Sequence, residues 1–507
     1  MAIIGEIIKQ AIHLREVITA NTDPVEEQER VLHQLLDTAK LTAFGKHYGF
    51  QDILNSADLV AAFQGKVPIY DYDKLYAAWW HYLLEGHQNV TWPGGQQYFA
   101  LSSGTTSNSK YIPVTDDMLD AIRRSGIQQV LSLKNFDLPP HFFEKQILML
   151  GSSTHLIQKD DHQEGEISGI SAANIPFWFR KFYKPGSEIA SLENWDDKIR
   201  QIAQSAPDWD IGSITGIPSW TELMLKEIIA YNRLNTIHDI WPNLMVYTSG
   251  GVAFEPYRKG FEKLWGAPMT YIDTYLASEG YLATQKRPDA GMALIIDNGV
   301  FFEFVPFHDR NIDAQGLVKQ DAEVLTLADV KEGEHYVLLI STVAGAWRYM
   351  IGDTVVFTDK DRLEIKISGR TKHFLNVVGE QLSVHQMNEA VQSVEKQFNI
   401  VVQEFTVAAL VQGDHYKNRW LIGVDDHVAA DAGEIAAYLD EQLKASNKNY
   451  AVARNKALKS VEVKLVPTSA FYQWSEETKK LGGQVKIPRV MKEDDFLALE
   501  HFMDRLG

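Results

Sequence analysis

The 507-residue chain contains no cysteine. Disulfides, thiolate metal sites and cysteine nucleophiles are excluded together. Basic residues are also scarce: 49 Lys and Arg stand against 67 Asp and Glu, a formal net charge of −18. Gripping duplex nucleic acid takes Lys and Arg against phosphates, so this balance argues against a nucleic-acid partner. It does not argue against one nucleotide, which needs only a local site. No apolar run is long enough to span a bilayer, and no membrane association is expected. Three common catalytic signatures are missing: His-Glu-x-x-His, Gly-x-Ser-x-Gly and Gly-x-Gly-x-x-Gly. The histidines show no ligand spacing. The N-terminus lacks the pattern of a signal peptide. Its apolar residues Ile3, Ile4, Ile7, Ile8, Ala11, Leu14 and Ile18 recur at helical spacing, while Glu6, Lys9 and Arg15 interrupt the run. The expected location is the cytoplasm.

A chain of this length exceeds what one core usually supports, which predicts a large domain and a smaller one. Residues 1 to about 45 read as two amphipathic helices, the second from Val25 to Lys40. Gln97–Ser102 reads as a strand entering a polar loop. From there to about residue 300, strand-like runs (Gln146–Leu150, Leu244–Thr248, Pro268–Asp273, Met292–Ile296) alternate with helical ones (Asp116–Leu131, Ser219–Tyr231, Glu255–Leu264). Short strands dominate 300–378. After about 380 the pattern becomes α-β-β-α-β, ending on a strand at Val461–Val466. The predicted class is α/β: a large layered N-terminal domain of β-sheets flanked by helices, plus a small α+β C-terminal lid. The boundary falls near Ser368 to Gly379, giving domains 1–375 and 376–507.

Five stretches carry chemistry. Ser102-Ser103-Gly104-Thr105-Thr106-Ser107-Asn108-Ser109-Lys110 follows a strand. Hydroxyls, close backbone N–H groups and one lysine are what a triphosphate needs, although the spacing is not that of a Walker loop. By composition it reads equally as a flexible surface loop. Tyr271 to Gly280 sets Tyr275 four residues before Glu279, with the Ser278 hydroxyl between. That suits base, phosphate and hard metal, or simply a strand end with a capping serine. Arg348-Tyr349-Met350-Ile351-Gly352-Asp353 places a carboxylate by a glycine at a strand end, a ribose-binding pattern or a plain hairpin. Ser368-Gly369-Arg370-Thr371-Lys372-His373 falls at the domain junction. Gly482-Gly483-Gln484-Val485-Lys486-Ile487-Pro488-Arg489 fixes a lysine between glycines and proline, as a mobile cation or a solvated tail.

In this order the five stretches resemble the adenylate-forming ligases. Within that superfamily the chain is similar to the auxin-responsive Gretchen Hagen type acyl-acid amido synthetases, especially their bacterial branch. Further matching stretches are Thr42–Lys46, Val67–Tyr72, Gly216–Trp220, Thr248–Gly251 and Asn449–Arg454.

The resemblance implies a ligase using ATP and Mg²⁺. It would activate a carboxylic acid as an acyl-adenylate, then transfer the acyl group to an amine, an amino acid above all. It assigns the phosphates to Lys110 and to Ser102, Ser103, Gly104, Thr105, Thr106 and Ser107, with Ser278 on the α-phosphate. Ser249, Gly250 and Gly251 would line the adenine and acyl side. Tyr275 would stack on adenine, Asp353 would hold the ribose, and Glu279 would bind Mg²⁺. Arg370 would open the hinge about which the lid turns, near His373. Lys486 would neutralise the leaving pyrophosphate. The implied catalytic residues are thus Lys486, Glu279 and Lys110. The chain departs from the family pattern at Asn108, where glycine is usual, and at Met350 and Gln381-Leu382, where plant members carry arginine and an Asp-Lys pair. A thiol acceptor such as coenzyme A, or nucleotide binding without turnover, stand as alternatives. Ser152–Leu156, Pro176–Phe179 and Ile217–Trp220 are candidate walls for the acyl group, and equally candidates for plain core.

Overall fold

The computed structural model describes residues 23–102, 110–175, 179–251, 254, 257–308, 310–313, 316–371, 374–375, 382–412, 415–424, 431–447, 450–451, 454, 458–478 and 487–506. They form two compact units. One holds residues up to Gly251 together with Trp265–Ile367; the other holds Val252–Leu264 with Ser368 onwards.

The larger unit opens with α1 (Pro24–Ala39), the second of the two expected N-terminal helices; the first lies outside the described residues. Asp23 caps α1 by accepting from the Val25 and Glu26 N–H groups. Its buried stripe, Val31, Leu32, Leu35, Leu36 and Ala39, has the 3–4 spacing that one buried helix face requires. Gln28 on the same face donates to the Ile296 and Val300 carbonyls at 2.7 and 2.9 Å and accepts from the Phe302 N–H at 2.8 Å. One amide thus satisfies three backbone groups across 270 residues of chain. Gln28→Leu keeps the volume and strands those groups, so a loss of about 2–3 kcal/mol is expected in denaturant unfolding.

Strands β1 (Tyr98–Ser102), β2 (Lys110–Val114), β4 (Ile157–Gln158) and β5 (Gln163–Gly165) form a small sheet in the order β2-β1-β5-β4. The main sheet has eleven strands: β3 (Gln146–Leu150), β6 (Tyr183–Lys184), β7 (Ile211–Gly216), β8 (Val246–Gly250), β9 (Thr270–Ala277), β10 (Gly280–Gln285), β11 (Met292–Leu294), β12 (Val300–Pro306), β13 (His335–Thr342), β14 (Tyr349–Asp359) and β15 (Glu364–Arg370). Their order is β12-β13-β14-β15-β11-β10-β9-β8-β7-β3-β6. Strands β6, β3, β7, β8 and β9 are mutually parallel, with helical crossovers between. From β9 to β10 the pairing turns antiparallel. Helices α2 (Asp116–Ser132), α3 (Ile167–Ala173), α4 (Trp195–Ser205) and α5 (Pro218–Asn232) complete the layers that matter for the site. The carboxyl ends of β3, β7, β8 and β9 therefore share one edge of the sheet. In open α/β sheets that edge is where ligands bind.

The smaller unit contains α6 (Arg258–Glu262), a β-hairpin of β16 (Phe374–Leu375) and β17 (Leu382–Ser383), α7 (Val384–Phe398), and the sheet β18 (Glu404–Gln412), β19 (His415–Gly423) and β20 (Leu458–Val466), with α8 (Ala432–Ser446) before β20. This matches the expected α-β-β-α-β order. Two helices extend it, α9 (Thr468–Glu477) and α10 (Glu493–Leu506). They bury Phe471, Phe496, Leu499 and Phe502 with Leu410 and Leu421 of the sheet. Of the expected helix at Glu255–Leu264, Glu255 and Pro256 lie outside the described residues, and Arg258–Glu262 forms α6. Next to it, the buried Tyr257 hydroxyl hydrogen-bonds Glu404, which also pairs with Arg489 at 2.6 Å. No helix among the described residues is long and apolar enough to cross a membrane.

Candidate active site

Several of the sequence-derived residues meet at this edge of the larger unit. The β9–β10 hairpin turns tightly on Ser278 and Glu279, since Ala277 and Gly280 are cross-strand partners. Ser278 therefore occupies a hairpin turn and caps no helix. Its side chain is half-buried, and Glu279 is 8% exposed. Asp353 does not stand at a strand end. It lies within the eleven-residue β14, directly after Gly352, whose φ of 92° only glycine adopts easily. The facing ladder also shifts register between Val337 and Leu339. The turn-like signal at Gly352 is an irregularity inside a long strand.

The Tyr275 hydroxyl donates to Asp353 Oδ2 at 2.5 Å, and both residues are buried. Three strands, β10, β11 and β15, separate β9 from β14 in the sheet. In a flat sheet, spacing of roughly 4.8 Å would hold the two about 19 Å apart. The sheet curls, and one tyrosine spans the inside of the curve. Tyr349, at the start of β14, is fully buried and faces Glu279. Among the described residues no hydrogen bond of good geometry reaches its hydroxyl, yet burial and the Glu279 charge push its pKa well up. Burial likewise pushes the Glu279 carboxyl above its usual value. Lys110 opposes that rise and Asp353 adds to it. Glu279, Tyr349, Asp353, Tyr275 and Lys110 thus form one electrostatically linked group.

Lys110 is the first residue of β2 and pairs in register with Ser102, the last of β1. Its amine lies 5.2 Å over the Tyr72 ring. The two ends of the Ser/Thr/Gly loop are therefore antiparallel neighbours. Ser103, Gly104, Thr105, Thr106 and Ser107 between them lie outside the described residues, as do Lys486 and His373. Ser249 and Gly250 end β8, and Gly251 follows in a left-handed conformation, φ 84°. The Ser249 hydroxyl is buried without a hydrogen-bond partner among the described residues. Its carbonyl accepts from Thr274 Oγ1 at 2.9 Å. Arg370 is exposed at the end of β15, in the smaller unit. Met350 is buried in an apolar cluster with Ile69, Val337 and Leu339. Of the acyl-wall candidates, Ser152, Ile217 and Trp220 are buried beyond β3 and β7.

Sequence reasoning quoted Tyr349 without giving it a task; only the curl of the sheet aims it at Glu279. Arg348, in the same stretch, has a role the sequence does not reveal: its guanidinium pairs with the fully buried Glu303 at 3.1 Å and donates to the Gln64 and Val67 carbonyls at 2.9 and 2.7 Å. Its own N–H donates to Ser341 Oγ. This network fixes the start of β14.

Parallel strands that open onto a shared carboxyl edge, with an acidic hairpin where the pairing turns antiparallel, define an adenylate-forming fold. The chain belongs to the GH3 family: the family's N-terminal domain matches residues 13–185 and 124–269, its central domain 293–365 and its C-terminal domain 385–495. The indole-3-acetic acid-amido synthetase GH3.3 of Arabidopsis thaliana is 26% identical over 276 residues, 50% of this chain and 44% of the plant protein. The match thus spans less than half the length of that relative. The structure of GH3.15 acyl acid amido synthetase has the same fold, with TM-score 0.78 at 16% identity over 98% of this chain and 96% of that one. A 2-hydroxyisobutyryl-CoA ligase in complex with R3-HIB-AMP is similar in fold at TM-score 0.54 and 12% identity, over 94% and 91%.

Proposed function

We propose that the protein joins a carboxylic acid to the amine of an amino acid through an acyl-adenylate made from ATP. The observation that carries this reading is the convergence of Tyr275, Glu279, Tyr349 and Asp353 beside Lys110, at the sheet edge where this fold takes ligands.

In the first half-reaction a carboxylate oxygen attacks the α-phosphorus. The new O–P bond replaces the bond to the pyrophosphate oxygen, and pyrophosphate leaves with the electron pair. In the second, an amine attacks the acyl carbon, AMP departs and the amine proton goes to solvent. Little covalent help is needed, so the protein's part is placement and charge neutralisation. Ser102 to Ser107 and Lys110 would hold the phosphates and Ser278 the α-phosphate. Ser249 to Gly251 would line the adenine and acyl side; the Ser249 hydroxyl there is buried and makes no hydrogen bond among the described residues. The Tyr275 ring would meet adenine while its hydroxyl orients Asp353 towards the ribose. Lys486 would steady the departing pyrophosphate, and the segment opened by Arg370 would let the cap change position.

The donor set fits magnesium held with the nucleotide. Among the described residues no three His, Asp or Glu side chains cluster, and Mg²⁺ on a triphosphate needs only one or two carboxylates. Glu279 is the candidate ligand: a desolvated carboxylate already pushed towards its neutral form needs a cation to stay charged. Magnesium, when bound, supplies neutralisation of the triphosphate.

The test is exchange of labelled pyrophosphate into ATP across a carboxylic-acid library, followed by AMP release with a panel of amino acids. Acid-dependent exchange with amino-acid-dependent AMP release is expected. Release that responds to coenzyme A and to no amine would replace the acceptor by a thiol. Nucleotide binding with no exchange on any acid would leave only a binding protein. Tyr275→Phe is expected to raise the KM for ATP by about 5- to 10-fold in the same assay, since it removes one hydrogen bond to a charged group.

A further inference from the structure

One lysine of the larger unit is buried without a hydrogen bond or ion pair among the described residues. The buried face of α4 consists of Trp195, Lys198, Ile199, Ile202 and Ala203, a lysine set in an apolar stripe. Lys198 is 4% exposed, and among the described residues its amine makes no hydrogen bond and no ion pair. Among the described residues, Glu166 is the charged group whose field acts on it. On the facing helix α5, the nearly buried Glu222 is already paired with Lys226 at 2.9 Å. A desolvated ammonium without a partner is costly, and folds retain one where a ligand supplies the partner.

Its position points to the same crevice. Helix α4 leads into β7, so its first turn lies at the carboxyl end of that strand. The contact between rings confirms this: Trp195 meets Trp220 at 4.6 Å, and Trp220 belongs to the first turn of α5, just past β7. Glu166 directly follows β5, whose Gly165 pairs with Ala100 of β1, two residues before the phosphate loop begins. Ser168, two residues on, hydrogen-bonds Ser152 just beyond β3 at 2.7 Å. Glu166 and Ser168 thus tie the segment after β5 to the carboxyl ends of β1 and β3, and α4 carries Lys198 into the layer just past the carboxyl end of β7.

We propose that Lys198, biased by Glu166, is the specificity-determining cation for a second carboxylate on a substrate in the crevice, one that stays ionised while another is activated. This rests on the acyl-transfer reading of the crevice. The group's source is either the far end of a dicarboxylic acid or the α-carboxylate of the amino acid. Burial lowers the Lys198 pKa to about 8, so the ammonium that would pair with a carboxylate is lost as pH rises through that value.

The experiment compares wild type, Lys198→Met and Lys198→Arg. One arm measures pyrophosphate exchange with mono- and dicarboxylic acids of matched length. The other measures amide formation with amino acids and with their amides. Lys198→Met is expected to raise the KM for the carboxylate-bearing substrate of one arm by about 10-fold or more, and for its neutral counterpart by less than about 2-fold. Lys198→Arg should recover most of the loss. The arm that responds names the source. In wild type, kcat/KM for that substrate should fall above about pH 8, and Glu166→Gln should move the fall to lower pH by removing the charge that favours the ammonium. Unchanged discrimination in both arms by an active Lys198→Met protein would overturn the assignment and leave the acyl-transfer reading intact. A wild type silent on every acid would overturn both.

Discussion

Glu279→Gln is expected to cut acid-dependent pyrophosphate exchange by about 100- to 1,000-fold while leaving the protein as stable as before or more so. The two effects have one cause. Glu279 is 8% exposed, and burial raises its carboxyl pKa above the ordinary value of 4.5. Between those two pKa values the folded protein holds a proton that the unfolded chain has released. Stability therefore falls as pH rises through that window, and the penalty is fully present above it. Glutamine keeps the shape and carries no charge, so its advantage should appear at neutral pH as a Tm gain of about 2–4 °C per kcal/mol relieved. That gain should vanish near pH 4, where wild-type Glu279 is protonated too. Activity runs the other way. Magnesium–nucleotide affinity in wild type should weaken as pH falls through the raised pKa, and that limb should be missing in the variant. Isothermal titration with Mg·ATP at several pH values, beside thermal melts at the same pH, checks both. A variant that is less stable at pH 7 and retains full exchange would count against the role given to this carboxylate.

Arg348→Met is expected to have the largest effect on stability, a loss of about 3–5 kcal/mol, read as a Tm drop of about 6–15 °C. The substitution leaves Glu303, 0% exposed, charged with the Gln64 amide as its one remaining partner among the described residues, and strips the hydrogen bonds to the Gln64 and Val67 carbonyls. By contrast, the Lys145–Asp210 pair, whose aspartate is half in solvent, is worth less than about 1 kcal/mol. Adding Glu303→Met to Arg348→Met should recover much of the loss, because the pair can be replaced but not halved. Arg348→Lys should recover little, since a point charge cannot serve the carboxylate and two carbonyls at once. Exchange activity should fall with stability. Arg348 sits at φ 42°, immediately before Tyr349, and its backbone pairs with Tyr70. Loosening it releases the first residues of the strand that carries Asp353.

The local pattern of this protein was legible wherever one element decides it. Helix α1, the strands β3 and β12, and the alternation up to β20 follow from apolar spacing and turn residues. The site residues in the hairpin at Ser278–Glu279 and at Asp353 were found from residue order. Their geometry was not legible, because it depends on contacts between distant segments. Tyr275 and Asp353 are 78 residues apart and meet only because the sheet curls. Gly352 gave the signature of a turn, and the pairing partners on both sides kept the strand running through it. Helices α9 and α10 went unread because their polar faces resemble a solvated tail until Phe471 and Phe496 are seen packed on β18 and β19. Lys198 left a faint signal: a cation exactly one turn after Trp195 in a stripe otherwise apolar.

Residues 252–264 belong to the smaller unit although more than a hundred residues separate them from its remainder. No single cut can therefore free that unit intact. A fragment starting at Ser368 would carry Glu404 and Arg489 without the Tyr257 hydroxyl that shares their carboxylate. The complementary fragment would keep Tyr257 and lose the carboxylate it binds. The polypeptide crosses between the units three times, after Gly251, Leu264 and Ile367, so each unit is built from separated stretches of chain.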